Sequence, residues 1–328
     1  MTISTSVTTG SISVTTGARL HFGPLAAGGL AGGQFGGVGM MISSPGYVLS
    51  VKSSSQDQCV GDEAVSHRVM EFIRRVRESS RGEIDIPPVS IEVRQAIASH
   101  AGLGSGTQLG LAVAAALSAL AGEKDVEVET LARRAGRGLR SAIGLYGFAR
   151  GGFLIDGGRS NSSQLGTLVS RVDFPEEWRL VLVAPRDSAG LSGSEEQSAF
   201  ASQPGMPREL TGELCRIALM EWLPGVIEAD FSRVSTAMYE YGRRVGQFFQ
   251  PVQGGIFAHP LMVQLADIVR QRGYAGVAQT SWGPTISVLC EHESTANSLV
   301  SDTAKDSRFE TCRFQVTQSQ NRGAKIEF

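Results

Sequence analysis

The chain has 328 residues, of which 41% are hydrophobic and 19% charged, with 40 glycines and a formal net charge of -2. This composition is typical of a globular protein with one large or two medium domains, and without a basic excess no nucleic-acid partner is expected. No apolar run reaches the roughly 20 residues of a membrane-spanning helix, so no membrane contact is expected. Four scattered cysteines and the lack of a signal-peptide pattern predict a cytoplasmic protein with reduced thiols.

Residues 1–14 are rich in serine and threonine and are predicted to form a flexible tail. The stretch 21–39 is rich in glycine and separates the first two apolar segments. Alternating and helically spaced apolar residues predict the elements of the first half in this order: strands over 14–20 and 47–53, a helix over 63–79, a strand over 89–97, helices over 107–121 and 128–135, and a strand over 152–155.

The second half of the chain is predicted in the same way: a strand over 178–185, helices over 208–228, 231–249 and 261–272, a strand over 286–290, a helix over 294–305 and a strand over 309–316. Because strands and helices mix without strict alternation, we predict an α+β fold with two lobes. A loop at 157–164 is taken as the boundary, which gives an N-terminal domain over 15–164 and a C-terminal domain over 165–328.

The most informative segment is AGLGSGTQ at residues 101–108, which leads directly into an apolar helix. Its three glycines permit a positive φ and a close approach of the backbone to a ligand. Backbone N–H groups and the positive end of the following helix then favour an anion, and Ser105 and Thr107 add hydroxyls. The alternative is a glycine turn before a buried helix. The spacing matches neither a P-loop nor a dinucleotide-binding fingerprint.

The glycine segment resembles the phosphate loop of the GHMP kinase superfamily. Several stretches occur in the order that β-ribofuranosylaminobenzene 5'-phosphate synthases share: ARLHFG, QFGGVGMMI, HAGLGSGTQLGLAVAAAL, RSAIGLYGFARGGFLIDGG, WRLVLVAP, GLSGSEE, PVQGG and QTSWGPT. The resemblance covers residues 18–290. It implies a two-lobed GHMP-kinase-like fold with the phosphate loop at a helix N-terminus.

The resemblance also implies a reaction. Members of this family condense phosphoribosyl pyrophosphate with 4-aminobenzoate or 4-hydroxybenzoate, with loss of pyrophosphate and carbon dioxide, in the synthesis of methanopterin-type carriers. Mg²⁺ is expected with the pyrophosphate substrate, and a homodimer is expected from the family. Positioning and electrostatics would provide most of the rate, because the reaction needs no covalent nucleophile on the protein.

The resemblance and the residue types together give a set of candidate site residues. The expected catalytic residues are Arg19, His21 and Asp156, and Ser105 and Asp156 are the candidate ligands of Mg²⁺. Asp156 alternatively caps the turn that follows it. The expected substrate-binding residues are Gly102, Leu103, Gly104, Ser105, Gly106, Thr107, Gln108, Arg140, Arg150, Gln253, Gln279, Ser281 and Trp282.

These assignments have simpler alternatives. Arg140 and Arg150 would bind a phosphate or the benzoate, or else lie on a solvated helix face. Trp282 would stack on an aromatic acceptor, or else serve as a buried core residue. At the level of the whole protein, the rivals are an ATP-dependent kinase of small alcohols and a non-catalytic binding protein. The loop GLGSGTQ and the turn SWGPT depart from the kinase motifs, and these departures favour the synthase.

Overall fold

The computed structural model describes residues 10–28, 34–138, 141–161, 165–186 and 204–328. It has the predicted α+β architecture in two lobes, and its strands form two sheets. The strands of the first sheet are β1 (Ile12–Pro24), β2 (Gly37–Ser53), β3 (Gln58–Val60), β4 (Val89–Gln95), β5 (Phe153–Asp156), β6 (Leu168–Val172) and β11 (Lys325–Glu327). Their order is β11-β1-β2-β4-β3, and β5 and β6 extend the sheet from the other half of β2.

The hairpin of β1 and β2 is the centre of this sheet. Its antiparallel register runs from Ile12 opposite Val51 to Pro24 opposite Gly37. Strand β2 then pairs with β4 over one half and with β5 over the other. With neighbours on both sides and apolar residues buried along its length, the hairpin forms a rigid base for side chains at its open end.

Four helices accompany the first sheet: α1 (Glu63–Ser79), α2 (Ser105–Leu120), α3 (Val128–Ala135) and α4 (Ile143–Arg150). Helix α1 begins after Asp62, whose carboxylate accepts a hydrogen bond from the N–H of Ala64 at 3.0 Å. Helix α2 is different, because every residue from Gln108 to Ser118 is buried. A helix that is apolar on all sides belongs inside the protein, and packing therefore holds its N-terminus in place.

The second lobe contains an antiparallel sheet with the order β10-β7-β9-β8. Its strands are β7 (Arg179–Pro185), β8 (Val277–Gln279), β9 (Ile286–Cys290) and β10 (Cys312–Gln318). Its described helices are α5 (Arg208–Arg216), which continues through π-helical turns (Ile217–Trp222) into α6 (Leu223–Ile227), α7 (Phe231–Gln253), α8 (Pro260–Gln271) and α9 (Glu293–Ala304). Helix α7 joins the lobes, since the Tyr241 hydroxyl donates to the Gly23 carbonyl at 2.9 Å.

Most predicted elements are present within a few residues of their expected bounds, and the helices over 63–79 and 128–135 match them. The predicted tail extends too far, because β1 begins at Ile12 and buries Ile12 and Val14. The boundary at residue 164 also needs correction. Strand β6 pairs with β5, and β11 returns to pair with β1, so both belong to the first sheet. The chain passes to the second sheet between Val172 and Arg179.

All four cysteines are free thiols, and burial raises the pKa of Cys290 to about 12. The described residues contain no group of three or more His, Cys, Asp or Glu side chains arranged to hold a metal ion. Across the same residues, no helix combines the length and apolar character needed to cross a bilayer.

Candidate active site

The glycine loop and the turn at residues 279–285 lie against each other, as the sequence predicts. The Thr280 hydroxyl donates to the Gly102 carbonyl at 2.9 Å, and the Thr285 hydroxyl donates to the Ala101 carbonyl at 2.8 Å. The backbones are so close that a Cβ at Gly102 would collide with the Thr280 carbonyl oxygen. Gly102 also has a φ of +77°, a conformation that L side chains rarely adopt. These contacts join a loop of the first lobe to a turn of the second.

The loop ends at the N-terminus of α2, where no side chain caps the backbone N–H groups. Gly104 is the N-cap residue with a φ of 71°. The first N–H groups of a helix have no acceptor within the helix, and they carry its partial positive charge. Ser105 follows at the first helical position, and its hydroxyl lies close enough to Tyr47 to hydrogen-bond to it. This end of α2 is therefore suited to an anion.

Arg19 connects the strand, the loop and the turn. Its guanidinium donates to the Ser281 hydroxyl at 2.8 Å and to the Gly102 carbonyl at 3.3 Å. Its backbone N–H donates to the Leu103 carbonyl at 3.1 Å, and its side chain lies against Gly104. The position of this cation at the middle of the loop is thus determined by contacts with two separate segments, the loop and the turn.

His21 lies two residues further along β1, and its side chain is only 8% exposed. Its Nδ1 accepts a hydrogen bond from the Gly23 N–H at 3.2 Å. Burial, with a smaller effect from the Arg19 charge, lowers the pKa of His21 to about 3. The imidazole is therefore neutral at physiological pH, and its proton is on Nε2. Among the residues that the structure describes, this buried Nε2–H has no hydrogen-bond partner.

These groups line a cavity of about 600 Å³ between the two lobes. Besides Arg19, the cavity is bordered by Arg68 from α1 and by Arg137 from the segment after α3. A Cβ at Gly106 would lie 3.5 Å from the Arg68 Nη2 and 3.6 Å from the Arg137 Nη2, so both guanidiniums approach one point above the start of α2. The described residues that line the cavity include no aspartate or glutamate. The described lining therefore carries three guanidiniums and no carboxylate.

The opposite wall of the cavity is apolar and aromatic. Trp282 is 6% exposed, and its ring packs edge-on against Phe249 from α7 at a centroid distance of 4.6 Å. Phe22 and Val245 also line this part of the cavity. Flat apolar walls of this kind bind aromatic ligands by stacking and by the exclusion of water. This position is compatible with both alternatives for Trp282, stacking on an aromatic acceptor and a buried core residue.

Two glutamines hold the turn that carries Ser281 and Trp282. The Gln279 side chain donates to the Ser281 carbonyl at 2.9 Å and accepts from the Ala258 N–H at 2.6 Å. It also donates to Gln253 Oε1 at 3.3 Å, while Gln253 Nε2 donates to the Ile256 carbonyl at 2.9 Å. Both side chains border the cavity, but most of their hydrogen-bonding capacity is used to fix the backbone around it.

Asp156, Gln108 and Arg150 were expected in the site but are not among the residues that line the cavity. The Asp156 carboxylate accepts from the N–H groups of Ala142 at 2.6 Å and Gly158 at 2.8 Å, and it is 1% exposed. It therefore fixes the turn after β5, which is the simpler alternative for this residue. Gln108 is fully buried, where it accepts from the Thr16 hydroxyl and donates to the Gly144 carbonyl. Arg150 is exposed at the end of α4, and Arg140 lies outside the described residues.

Arg68 and Arg137 are charged cavity residues that the sequence did not reveal. On α1, Arg68 belongs to the same polar face as arginines that point to solvent, and periodicity cannot separate them. Arg137 does have a local signal, because it stands between Gly136 and Gly138 in a sequence that cannot continue a helix. That signal indicates an irregular segment but not the direction of the side chain.

Whether the cavity suits Mg²⁺ depends on the oxygen ligands that its lining residues provide. Mg²⁺ prefers carboxylate oxygens and water. The described lining provides the hydroxyls of Ser105 and Thr107 and several guanidiniums, and Asp156 already bonds to two backbone N–H groups. These residues do not form a magnesium site belonging to the protein alone.

Comparisons with known proteins relate this geometry to a family. The GHMP kinases N terminal domain matches residues 67–152, and the GHMP kinases C terminal domain matches residues 222–304. Among curated relatives, the beta-ribofuranosylphenol 5'-phosphate synthase of Archaeoglobus fulgidus is 30% identical over 95% of this chain and 98% of its own. The enzyme of the same name from Methanothermobacter thermautotrophicus is 29% identical over 95% of this chain and 97% of its own.

Solved structures show the fold alone, because their sequence identity is low. Homoserine kinase from Cytophaga hutchinsonii superposes with a TM-score of 0.64 at 14% identity, covering 99% of this chain and 100% of that one. Mevalonate diphosphate decarboxylase from Staphylococcus aureus superposes with a TM-score of 0.66 at 14% identity, covering 97% of this chain and 98% of that one. The architecture is therefore shared with enzymes of different chemistry.

Proposed function

The chain belongs to the beta-ribofuranosylphenol 5'-phosphate synthase family, and we propose that it condenses phosphoribosyl pyrophosphate with 4-hydroxybenzoate or 4-aminobenzoate. Pyrophosphate and carbon dioxide leave, and a C-glycoside forms. The observation that supports this function best is the composition of the cavity. One wall offers a glycine loop, a helix N-terminus and three arginines, and the other wall is aromatic. The proposed substrates have matching parts, since one is a polyanion and the other an arene.

The proposed reaction balances without a general base. The C1–O bond of the ribose breaks, and its electron pair stays with the departing pyrophosphate. The ring carbon that bears the carboxylate then bonds to C1. The C–C bond to the carboxylate breaks, and its electrons restore the aromatic ring as carbon dioxide departs. Because carbon dioxide leaves in place of a proton, the protein must hold and neutralise the substrates but need not remove a proton.

A reaction without a general base agrees with the neutral protonation state of His21. With the pKa of its imidazole lowered to about 3, His21 is a neutral hydrogen-bond donor and is unsuited to act as a base at physiological pH. We infer that its Nε2–H orients an oxygen of the acceptor. A phenolic oxygen accepts a hydrogen bond better than an aromatic amine does, and the relatives' printed name refers to a phenol product. The preferred acceptor in this proposal is therefore 4-hydroxybenzoate.

Mg²⁺ enters this proposal as part of the substrate. Since the described cavity residues provide no carboxylate, we propose that the ion arrives as its complex with phosphoribosyl pyrophosphate. Ser105 and Thr107 would face that complex at the start of α2. A homodimer in the cytoplasm remains a prediction from the family, and sedimentation of the purified protein tests the oligomeric state.

The kinase alternative has weaker support. A kinase of small alcohols positions a polar substrate near the phosphates, whereas the described wall opposite the arginines is formed by Phe22, Val245, Phe249 and Trp282. The experiment that separates the two functions incubates the enzyme with each donor. Phosphoribosyl pyrophosphate with an arene should release carbon dioxide and a C-glycoside, and ATP with an alcohol should give no product. The reverse outcome would replace the synthase with a kinase.

A further inference from the structure

Arg68, an arginine of the cavity, has different neighbours from many other arginines of the protein. Several guanidiniums form ion pairs with carboxylates, as in the pairs Arg77–Asp57, Arg134–Glu123 and Arg216–Glu213. Arg68 instead donates to the neutral Ser99 hydroxyl at 2.8 Å and lies beside the Tyr47 hydroxyl. In the described part of the chain, no carboxylate forms an ion pair with Arg68. A positive charge kept in this way is available to an anionic ligand.

Arg137 brings a second charge to the same place. Its guanidinium carbon lies 4.9 Å from the centroid of the Phe72 ring, and this cation–π contact holds the side chain beside α1. The Nη2 atoms of Arg68 and Arg137 both lie within 3.6 Å of the point where a Gly106 Cβ would be. Two guanidiniums this close to one point can both donate hydrogen bonds to a single anion there. The start of α2 adds its N–H groups at this point.

The three glycines of the loop contact different parts of the cavity, one after another along the chain. Gly102 touches Thr280 and Gly283 in the aromatic turn, and Gly104 touches Arg19. Gly106, at the other end, touches Arg68 and Arg137. The loop therefore runs from the aromatic wall, past Arg19, to the paired arginines. A substrate lying along it would have its arene-facing end and its most anionic end on opposite sides of Arg19.

We propose that the pyrophosphate group of phosphoribosyl pyrophosphate binds between Arg68 and Arg137 above Gly106, and that the arene binds at the Phe249–Trp282 end. This inference rests on the proposed function. The pyrophosphate of the donor is on the α face of the ribose, and the relatives' printed product is β. The reaction then inverts C1, which requires the arene and the leaving group to be on opposite faces. The order of contacts along the loop satisfies this requirement, and the arginines accept the charge that the breaking C1–O bond transfers.

The first test measures the binding of inorganic pyrophosphate with magnesium by calorimetry. Arg68→Gln and Arg137→Gln should each weaken binding by about 10- to 100-fold, as expected for the loss of a charge-assisted contact. Arg68→Lys should fall between, because it keeps the charge but not the fork of donors. Arg74→Gln is the matched control. Arg74 is also on α1 but is exposed and pairs with Glu78, so its replacement should leave binding unchanged.

A second variant keeps the test valid if an arginine variant fails to fold. Gly106 lies in a helix, its φ is not in the positive range, and an added Cβ would make only ordinary contacts. Gly106→Ala should therefore preserve or raise the thermal stability, since alanine favours helices. The new methyl group would occupy the space between the two guanidiniums. Its predicted effect is weaker pyrophosphate binding in a protein that is at least as stable.

Kinetics separates this inference from the proposed function. If the wild-type enzyme forms the C-glycoside, the arginine variants should raise KM for phosphoribosyl pyrophosphate and the inhibition constant of pyrophosphate, with KM for the arene unchanged. Unchanged pyrophosphate binding in all three variants, or a change confined to the arene, would overturn the inference while the synthase function stands. A wild-type enzyme that forms no product would refute the function, and the calorimetric result would still decide whether an anion binds here.

Discussion

The neutral state of His21 leads to a measurable dependence of stability on pH. Its pKa is lowered from 6.5 to about 3 by burial and by Arg19, so the unfolded chain binds a proton at a higher pH than the folded protein does. The contribution of His21 to the free energy of unfolding is fully present above pH 6.5 and is lost as the pH falls from 6.5 toward 3. Between pH 8 and pH 5 the loss amounts to about 2 kcal/mol, from the difference in proton binding at 1.36 kcal/mol per pKa unit.

The perturbation that isolates this effect is His21→Asn. The asparagine side chain carries an amide oxygen at the position of Nδ1, so it can still accept from the Gly23 N–H, but it does not titrate. Urea unfolding at pH 8 and pH 5 should show that the wild type loses about 2 kcal/mol more than the variant does. Equal losses in the two proteins would refute the reasoning, because they would mean that the folded imidazole protonates as readily as the unfolded one. His21→Gln, which restores a donor near Nε2, should recover more activity than His21→Asn.

Four further predictions follow from other contacts. Gly104→Val places a β-branched residue at a φ of +71° against Arg19 and should abolish the binding of phosphoribosyl pyrophosphate, measured by calorimetry. The control is Gly122→Val, at a φ of +87° with no neighbour within 4 Å. It should lower the stability by a similar amount and leave binding intact. Gln108→Leu removes the buried hydrogen bonds of this side chain to the Thr16 hydroxyl and the Gly144 carbonyl, and it should lower the free energy of unfolding by about 2 kcal/mol with KM unchanged. An altered KM would make Gln108 a binding residue. Trp282→Leu should raise KM for the arene several-fold, roughly the effect of one lost aromatic contact, whereas Trp178→Leu should affect stability only. Chelation of Mg²⁺ should abolish turnover, and full activity in the chelator would contradict the role of the ion in the substrate complex.

The sequence predicts the fold best where local physics determines the structure. The apolar spacing of α1 and α3 predicts both helices with their bounds, since an amphipathic stripe requires only nearby residues. Strands β3, β8 and β11 have three residues each, too few for an alternating pattern to be recognised. The return of β11 to the first sheet depends on long-range pairing, which no local pattern encodes. The lobe boundary was misplaced for the same reason.

The residues of the candidate site were likewise predicted only in part. The glycine loop and the turn at Ser281–Trp282 were predicted because glycine-rich backbone and an ordered set of motifs are visible in the chain itself. Asp156 was misleading, since a carboxylate before two glycines can serve a turn or a ligand, and only its two backbone donors separate these roles. Arg68 and Arg137 come together through the packing of α1 and the segment after α3 against α2. That packing is a property of the fold rather than of any short segment.

The measurement that tests the central claim most directly is the release of carbon dioxide from carboxyl-labelled benzoates. The enzyme, phosphoribosyl pyrophosphate and Mg²⁺ are incubated separately with labelled 4-hydroxybenzoate, 4-aminobenzoate and unsubstituted benzoate, and the products are identified by mass spectrometry. The account predicts equal amounts of carbon dioxide, pyrophosphate and C-glycoside from the hydroxy compound, a slower reaction with the amino compound and none with benzoate. No labelled carbon dioxide from either substituted benzoate, together with transfer of phosphate from ATP to an alcohol, would contradict it.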